Sequence, residues 1–258
     1  MLPLMSLRRF TFRIAVALVA AAAALYPFAI ADAGNAKRPV VVELFTSQGC
    51  SSCPPADAIL GQLAKRKDVI ALSLPITYWD MLGWKDTLAT DADTKRQKAY
   101  AQMMWRGGVY TPQIIVDGVT DVVGGRDAQI ESTIAAREAD QQAVPVQLSA
   151  DRAAVHVNVG AASVKDANAT IWLFRVLPQA SVAITDGENK GHTYVYHNVV
   201  REIRALGIWK GQSFSLDLPR QELLGGSHDS IFVIVQQSGY GRILGAAMLD
   251  HAVLDAAR

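Results

Sequence analysis

Residues 45–57 read FTSQGCSSCPPAD, and they contain Cys50 and Cys53, the only two cysteines in a chain of 258 residues. What flanks this stretch decides how it is read. Before it, residues 40–46 (VVVELFT) are short, apolar and β-branched, the composition of a strand. After it, residues 56–66 place Ala56, Ile59, Leu60 and Leu63 at helical spacing. Two cysteines separated by two residues, between the end of a strand and the start of a helix, form the arrangement of a redox pair. The location has a chemical reason. Free amide hydrogens and the positive end of the helix dipole stabilise a thiolate at Cys50, and Cys53 is near enough to resolve a mixed disulfide. Ser51 and Ser52 add possible hydrogen bonds to that thiolate, without charge.

Two other readings compete. A disulfide kept only for stability closes a loop of four residues here, worth about 2 kcal/mol by chain entropy against about 3 kcal/mol for a fifteen-residue loop. A chain that is half apolar has little need of such a staple. A metal clip needs further ligands. There is no second Cys-X-X-Cys, and His156, His192, His197, His228 and His251 all lie in the second half without ligand-like spacing. Copper(I) is the remaining metal alternative, held by the two thiolates and a thioether from Met103 or Met104. Nothing in the chain asks for a cofactor.

Outward from the cysteines, the elements alternate. Residues 69–76 (VIALSLPI) read as a second strand, 78–86 (YWDMLGWKD) as an aromatic loop and 91–105 as a helix. Residues 113–117 and 119–123 form a hairpin turned at Asp117-Gly118, and Asp127 caps a helix carrying Ile130 and Ile134 that frays near Gln142. Strand, helix, strand, helix, strand, strand, helix is the minimal thioredoxin-like order, so residues 39–142 are expected to form an α/β thioredoxin-like N-terminal domain. Composition then changes. Alternating segments such as AAVHVNVG, ATIWLFRVL and IFVIVQQ make residues 144–258 a β-rich, sandwich-like C-terminal domain, with a hairpin across residues 238–241. Residues 197–206 (HNVVREIRAL) fit helix and strand spacing about equally.

Residues 1–31 read as a signal peptide: Arg8, Arg9 and Arg13, then an apolar run of 12 residues from Ile14 to Leu25, then small residues at Ala29 and Ala31. That run is short of the ~20 residues a bilayer requires, so no transmembrane segment is expected after cleavage. An uncleaved amphipathic anchor is the alternative. Without the leader, 22 basic residues face 24 acidic ones, a net charge of −2 that does not suggest a nucleic-acid partner. The expected location is periplasmic or secreted, where disulfides persist.

Further residues join the candidate site. Thr111-Pro112 precedes the third strand, where thioredoxin-like folds place a cis proline against the disulfide; if cis, the Thr111 backbone would pair with a protein or small thiol or disulfide substrate, and a trans proline in a loop is the alternative. Glu43, a carboxylate inside an apolar strand, is the expected proton relay for Cys53, with an exposed sheet-edge position as its alternative. Trp79 and Trp84 form a substrate-facing lip, or else pack at the domain junction. Residues 186–192 (DGENKGH) read as a polar loop, with too few carboxylates for calcium. Pro54 and Pro55 delay the helix: proline cannot donate the first intrahelical bond, so Ser52 is the expected cap and Cys53 is pushed off helical angles.

Together VVELFTSQGCSSCPPAD, YWDMLGWKD, VYTPQIIVDG, GENKG and VIVQQSGYGRILGAAML resemble the secreted family catalogued as domain of unknown function 1223. The resemblance covers nearly all of the mature chain. It implies a thioredoxin-like fold in the first half and carries no activity with it. Against the wider thioredoxin superfamily, Cys50, Cys53 and Pro112 match the motif positions. The chain departs at Leu44, where the buried acid six residues before the first cysteine is usual, at Gly49 in place of tryptophan, and at the Ser-Ser dipeptide.

Overall fold

The computed structural model describes residues 38–139, 144–224 and 227–257. The expected leader and the helix end near Gln142 lie outside them. In the first half, β1 (Val40–Thr46) is buried along its whole length and pairs in parallel with β2 (Val69–Pro75), in register from Val40↔Val69 to Thr46↔Pro75. The crossover between them is α1 (Pro54–Leu63). Helix α2 (Asp91–Met103) follows, capped by Thr90, whose hydroxyl accepts from Asp93 N. It ends two residues before the expected Trp105, because Trp105 turns left-handed at φ 55° and Arg106 N bonds back to Ala101 O. Strands β3 (Gln113–Val116) and β4 (Thr120–Val123) form an antiparallel hairpin over Asp117 and Gly118, both at positive φ as such a turn demands. β3 pairs with the free edge of β1, and α3 (Asp127–Ala139) closes this half.

The second half supplies β5 (Val146–Ala150), β6 (Ala154–Val159), β7 (Ala169–Ala183), β8 (Thr193–Trp209), β9 (Phe214–Pro219), α4 (Arg220–Leu224), β10 (Ser230–Gln237), β11 (Ile243–Leu249) and α5 (His251–Ala256). Residues 197–206, ambiguous by spacing, lie inside β8, because antiparallel pairing with β7 extends from Ala169↔Trp209 to Ala183↔Thr193. Four of these strands continue the sheet of the first half, giving the order β11-β10-β7-β8-β2-β1-β3-β4. The junction is one parallel bridge, Ser73↔Val199. The fold is therefore a mixed α/β architecture around one large sheet that crosses the compositional boundary at residues 142–144. Strands β5, β6 and β9 form a second sheet, whose Val155, Val157 and Val159 pack on Ile171, Leu173 and Val233 in sandwich fashion. Side chains also cross the boundary. Arg38 forks onto Asp117 at 2.9 and 2.8 Å and donates to Ile243 O at 2.9 Å. Among the described residues, no helix is long and apolar enough to cross a membrane.

Alternation along β1 separates two environments. Val40, Val42 and Leu44 face α1 and α3, packing with Leu60, Leu63, Ile130 and Ile134. Val41 and Phe45 face the other way, toward Tyr100 of α2 and toward Phe174 and Ile234 of the second half.

Candidate functional site

The loop after β1 is held by its own backbone. Cys50 N donates to Ser47 O, Cys53 N to Cys50 O, and Ala56 N and Asp57 N both to Cys53 O. Cys53, rather than the expected Ser52, is therefore the N-cap of α1, and it adopts helical angles at φ −79°, ψ −36°. Pro54 and Pro55 occupy the first two helical positions, where no donor is required. The tight 50–53 turn, closed by a hydrogen bond and by the Cys50–Cys53 disulfide, outweighs the bias that Pro54 puts on Cys53. Ser52 Oγ lies 3.3 Å from Cys50 Sγ. Both cysteines are buried, Cys50 at 1% exposure and Cys53 at 0%.

Most of the expected site residues gather around this loop. The Thr111–Pro112 peptide is cis. Gly124 N donates to Pro112 O, and a Cβ on Gly124 would sit 2.7 Å from Pro112 Cβ and 2.9 Å from Ala56 Cβ, so the proline abuts the first turn of α1. Trp79 Nε1 donates to Thr111 Oγ1 at 2.8 Å, and the same residue covers Gly49. Trp84 Nε1 donates to Gln48 Oε1 at 2.8 Å. The two tryptophans thus tie the aromatic loop to both the cysteine loop and the proline turn. Met103 and Met104 pack against the apolar cluster around Tyr100.

Glu43 is elsewhere. It is fully buried in a central strand, with neither the sheet-edge position nor the cysteine-facing one that the sequence suggested. Strand alternation sends it to the α2 face with Val41 and Phe45, whereas α1 covers the opposite face. There it accepts from Arg96 at 2.5 and 3.1 Å and from Tyr100 Oη at 2.5 Å. Gln236 of β10 completes the network, accepting from Arg96 and donating to Tyr100. The Arg96 guanidinium also lies 5.1–6.0 Å from the ring centroids of Phe174, Tyr100, Tyr240 and Trp172.

The carboxyl that does share a face with Cys53 is Asp57, one helical turn further along α1. Burial pushes it up to about 8, with Asp86 adding repulsion and the Thr46 hydroxyl drawing it back. That hydroxyl does not close a hydrogen bond of normal geometry: Thr46 Oγ1 and Asp57 Oδ1 are buried without partners among the described residues, as is Ser73 Oγ on the same sheet face. Asp86 is also raised by burial, although it accepts from the backbone of Gln48, Leu88 and Ala89. Asp57 carried a legible signal, since its spacing to Leu60 places it on the buried stripe of α1.

The other surprise is the connection between β7 and β8. Asn189, at 5% exposure, donates its side-chain amide to Gln48 O at 2.8 Å and Cys50 O at 3.0 Å. Glu188 Oε2 accepts from Ser51 N at 3.3 Å. Gly187, at φ 73°, lies against Trp84 so closely that a Cβ would stand 3.0 Å from Trp84 Cβ. The stretch expected to be a polar loop is one, and it also forms a clasp over the cysteines. No local pattern announces it, because its partners lie about 140 residues away.

Comparison with known proteins agrees with this architecture. Residues 41–236 match the family model described as Protein of unknown function (DUF1223). No curated protein matches the chain. Among solved structures, the chain is similar to protein AGR_C_4864 from Agrobacterium tumefaciens, with 31% identity, a TM-score of 0.74, and coverage of 84% of this chain and 96% of that one. It also resembles HBP35 of Porphyromonas gingivalis at 15% identity and a TM-score of 0.60, over 84% of this chain and 76% of that one, a likeness of fold alone.

Proposed function

The chain belongs to the family of proteins of unknown function DUF1223, and we propose that it is an exported thiol-disulfide oxidoreductase whose first half is thioredoxin-like. The observation that supports this reading most directly is the seating of the cysteine pair. Cys50 and Cys53 lie between the end of β1 and the first turn of α1, with the cis Thr111–Pro112 turn abutting that same helical turn. In the disulfide form, Asp57 holds a proton at neutral pH. A substrate thiolate attacks Cys50 Sγ; the Cys50–Cys53 bond breaks, and the Cys53 sulfur leaves with the electron pair and takes the proton of Asp57. A second substrate thiolate then attacks the substrate sulfur of the mixed disulfide and releases the Cys50 thiolate. Two substrate thiols have become a disulfide, two electrons rest on the pair, and Asp57 regains its proton from solvent. Run backwards, the same steps reduce a substrate disulfide. A potential near −120 mV would mark an oxidant and one near −270 mV a reductant.

The burial of both sulfurs favours a second reading, a binding protein with an inert disulfide. Exchange with a fluorogenic disulfide peptide separates the two. With glutathione as the thiol reductant, the mature chain should turn it over faster than glutathione alone, Cys50→Ser should abolish that gain, and Cys53→Ser should accumulate a mixed disulfide visible by mass spectrometry. Turnover no faster than that of Cys50→Ser, with no trapped adduct, sinks the enzymatic reading.

A further inference from the structure

Resting on the thiol-disulfide reading, we propose that Glu188 is a positioning residue for the pair, keeping Cys50 a poor thiolate from the tip of the β7–β8 hairpin. Amide hydrogens near the start of α1 are the groups that would stabilise a thiolate at Cys50. The amide that follows Cys50 directly, Ser51 N–H, is instead donated to the Glu188 carboxylate at 3.3 Å. That contact removes a donor and sets a negative charge beside the same cysteine. The tip is anchored through the backbone rather than the sulfurs, because the buried Asn189 amide binds two backbone oxygens, Gln48 O and Cys50 O. Besides His192, whose Nδ1 lies 3.3 Å from Asn189 O, and Asp80, which accepts from Asp86 N, the ionisable groups around the loop are Asp57 from α1 and Asp86, whose carboxylate accepts from Gln48 N. Tyr196 of β8 stands near both of these. The cations closest in sequence, Lys190 on the tip and Lys85 in the tryptophan loop, are exposed. The Glu188 carboxylate on the neighbouring amide opposes ionisation of the Cys50 thiol, and Asp57, which keeps its proton up to about pH 8, adds no charge below that pH.

The test follows the pH dependence of iodoacetamide alkylation in the mature chain with Cys53→Ser, where only Cys50 can react. Glu188→Gln, which keeps an oxygen acceptor and removes the charge, should lower the Cys50 pKa by about half a unit, roughly threefold more thiolate, the scale of an exposed charge pair. Glu188→Asp, which retains the charge, should stay near the parent value. In 0.5 M salt the difference should shrink, since the Debye length falls well below its ~8 Å at physiological ionic strength. A Cys50 pKa unchanged between the parent and Glu188→Gln at low salt overturns the proposal, as does a shift that Glu188→Asp reproduces. Alkylation needs no exchange activity, so this result stands apart from the peptide-exchange assay. Exchange by the mature chain together with an unmoved pKa defeats Glu188 alone, whereas a moved pKa without exchange defeats the enzymatic reading alone.

Discussion

Two acids are buried on opposite faces of the large sheet, and the fold treats them differently. Glu43, on the α2 face, is matched by Arg96, Tyr100 and Gln236 and tied into a cage of four aromatic rings. Asp57, on the α1 face, has a carboxyl oxygen with no partner and a neighbouring acid that makes ionisation harder. The difference teaches what burial alone does not say. A buried carboxylate with a bidentate guanidinium is architecture, here a bolt between α2, β1 and β10. A buried carboxyl without one has its pKa pushed up by desolvation, as Asp57 does.

The comparison breaks most dramatically on the Glu43 side. Arg96→Met strands a carboxylate in the core and should cost about 3–5 kcal/mol in urea unfolding, while adding Glu43→Gln should restore part of that loss. The effect at Asp57 is read as a slope against pH and has a defined sign. Folded, it holds its proton up to about pH 8, whereas its ordinary value is 3.8. The native state therefore binds the extra proton between those limits. Its contribution is fully present below the lower value and is lost as pH rises through the upper one, at up to about 1.4 kcal/mol per pH unit. Asp57→Asn should flatten the stability profile between pH 4 and 8 relative to the parent chain, and it should also slow exchange. A parallel pair of profiles would show that Asp57 is as well compensated as Glu43. Smaller in its functional reach, Asn189→Ala removes two buried hydrogen bonds above the α1 face and should cost about 2 kcal/mol, with faster alkylation of the reduced pair. The Glu43 network should be untouched by that change.

Much of the first half was legible because its signals are local. Strand β1 occupies the residues expected from its β-branched run, and the Asp-Gly turn lies where its positive φ values require. The structure brings the cysteines, Thr111, Pro112, Trp79 and Trp84 around one loop. Glu43 was misread because alternation places it on one face of β1 without saying which helix covers that face. Residues 197–206 were undecided because their apolar spacing serves either element; a partner strand settled the matter. The clasp was invisible, since Asn189 in a polar turn has no local feature that points to Gln48 and Cys50.

The sequence by itself determined the covalent and short-range facts: two residues between the cysteines, prolines in the first turn of α1, and an apolar stripe on α1 through Ala56, Leu60 and Leu63. Only the tertiary structure decided which acid lies with the disulfide and what covers it. Helical and strand periodicities specify a face within one element, but the partner of that face is chosen by packing between elements far apart in the chain.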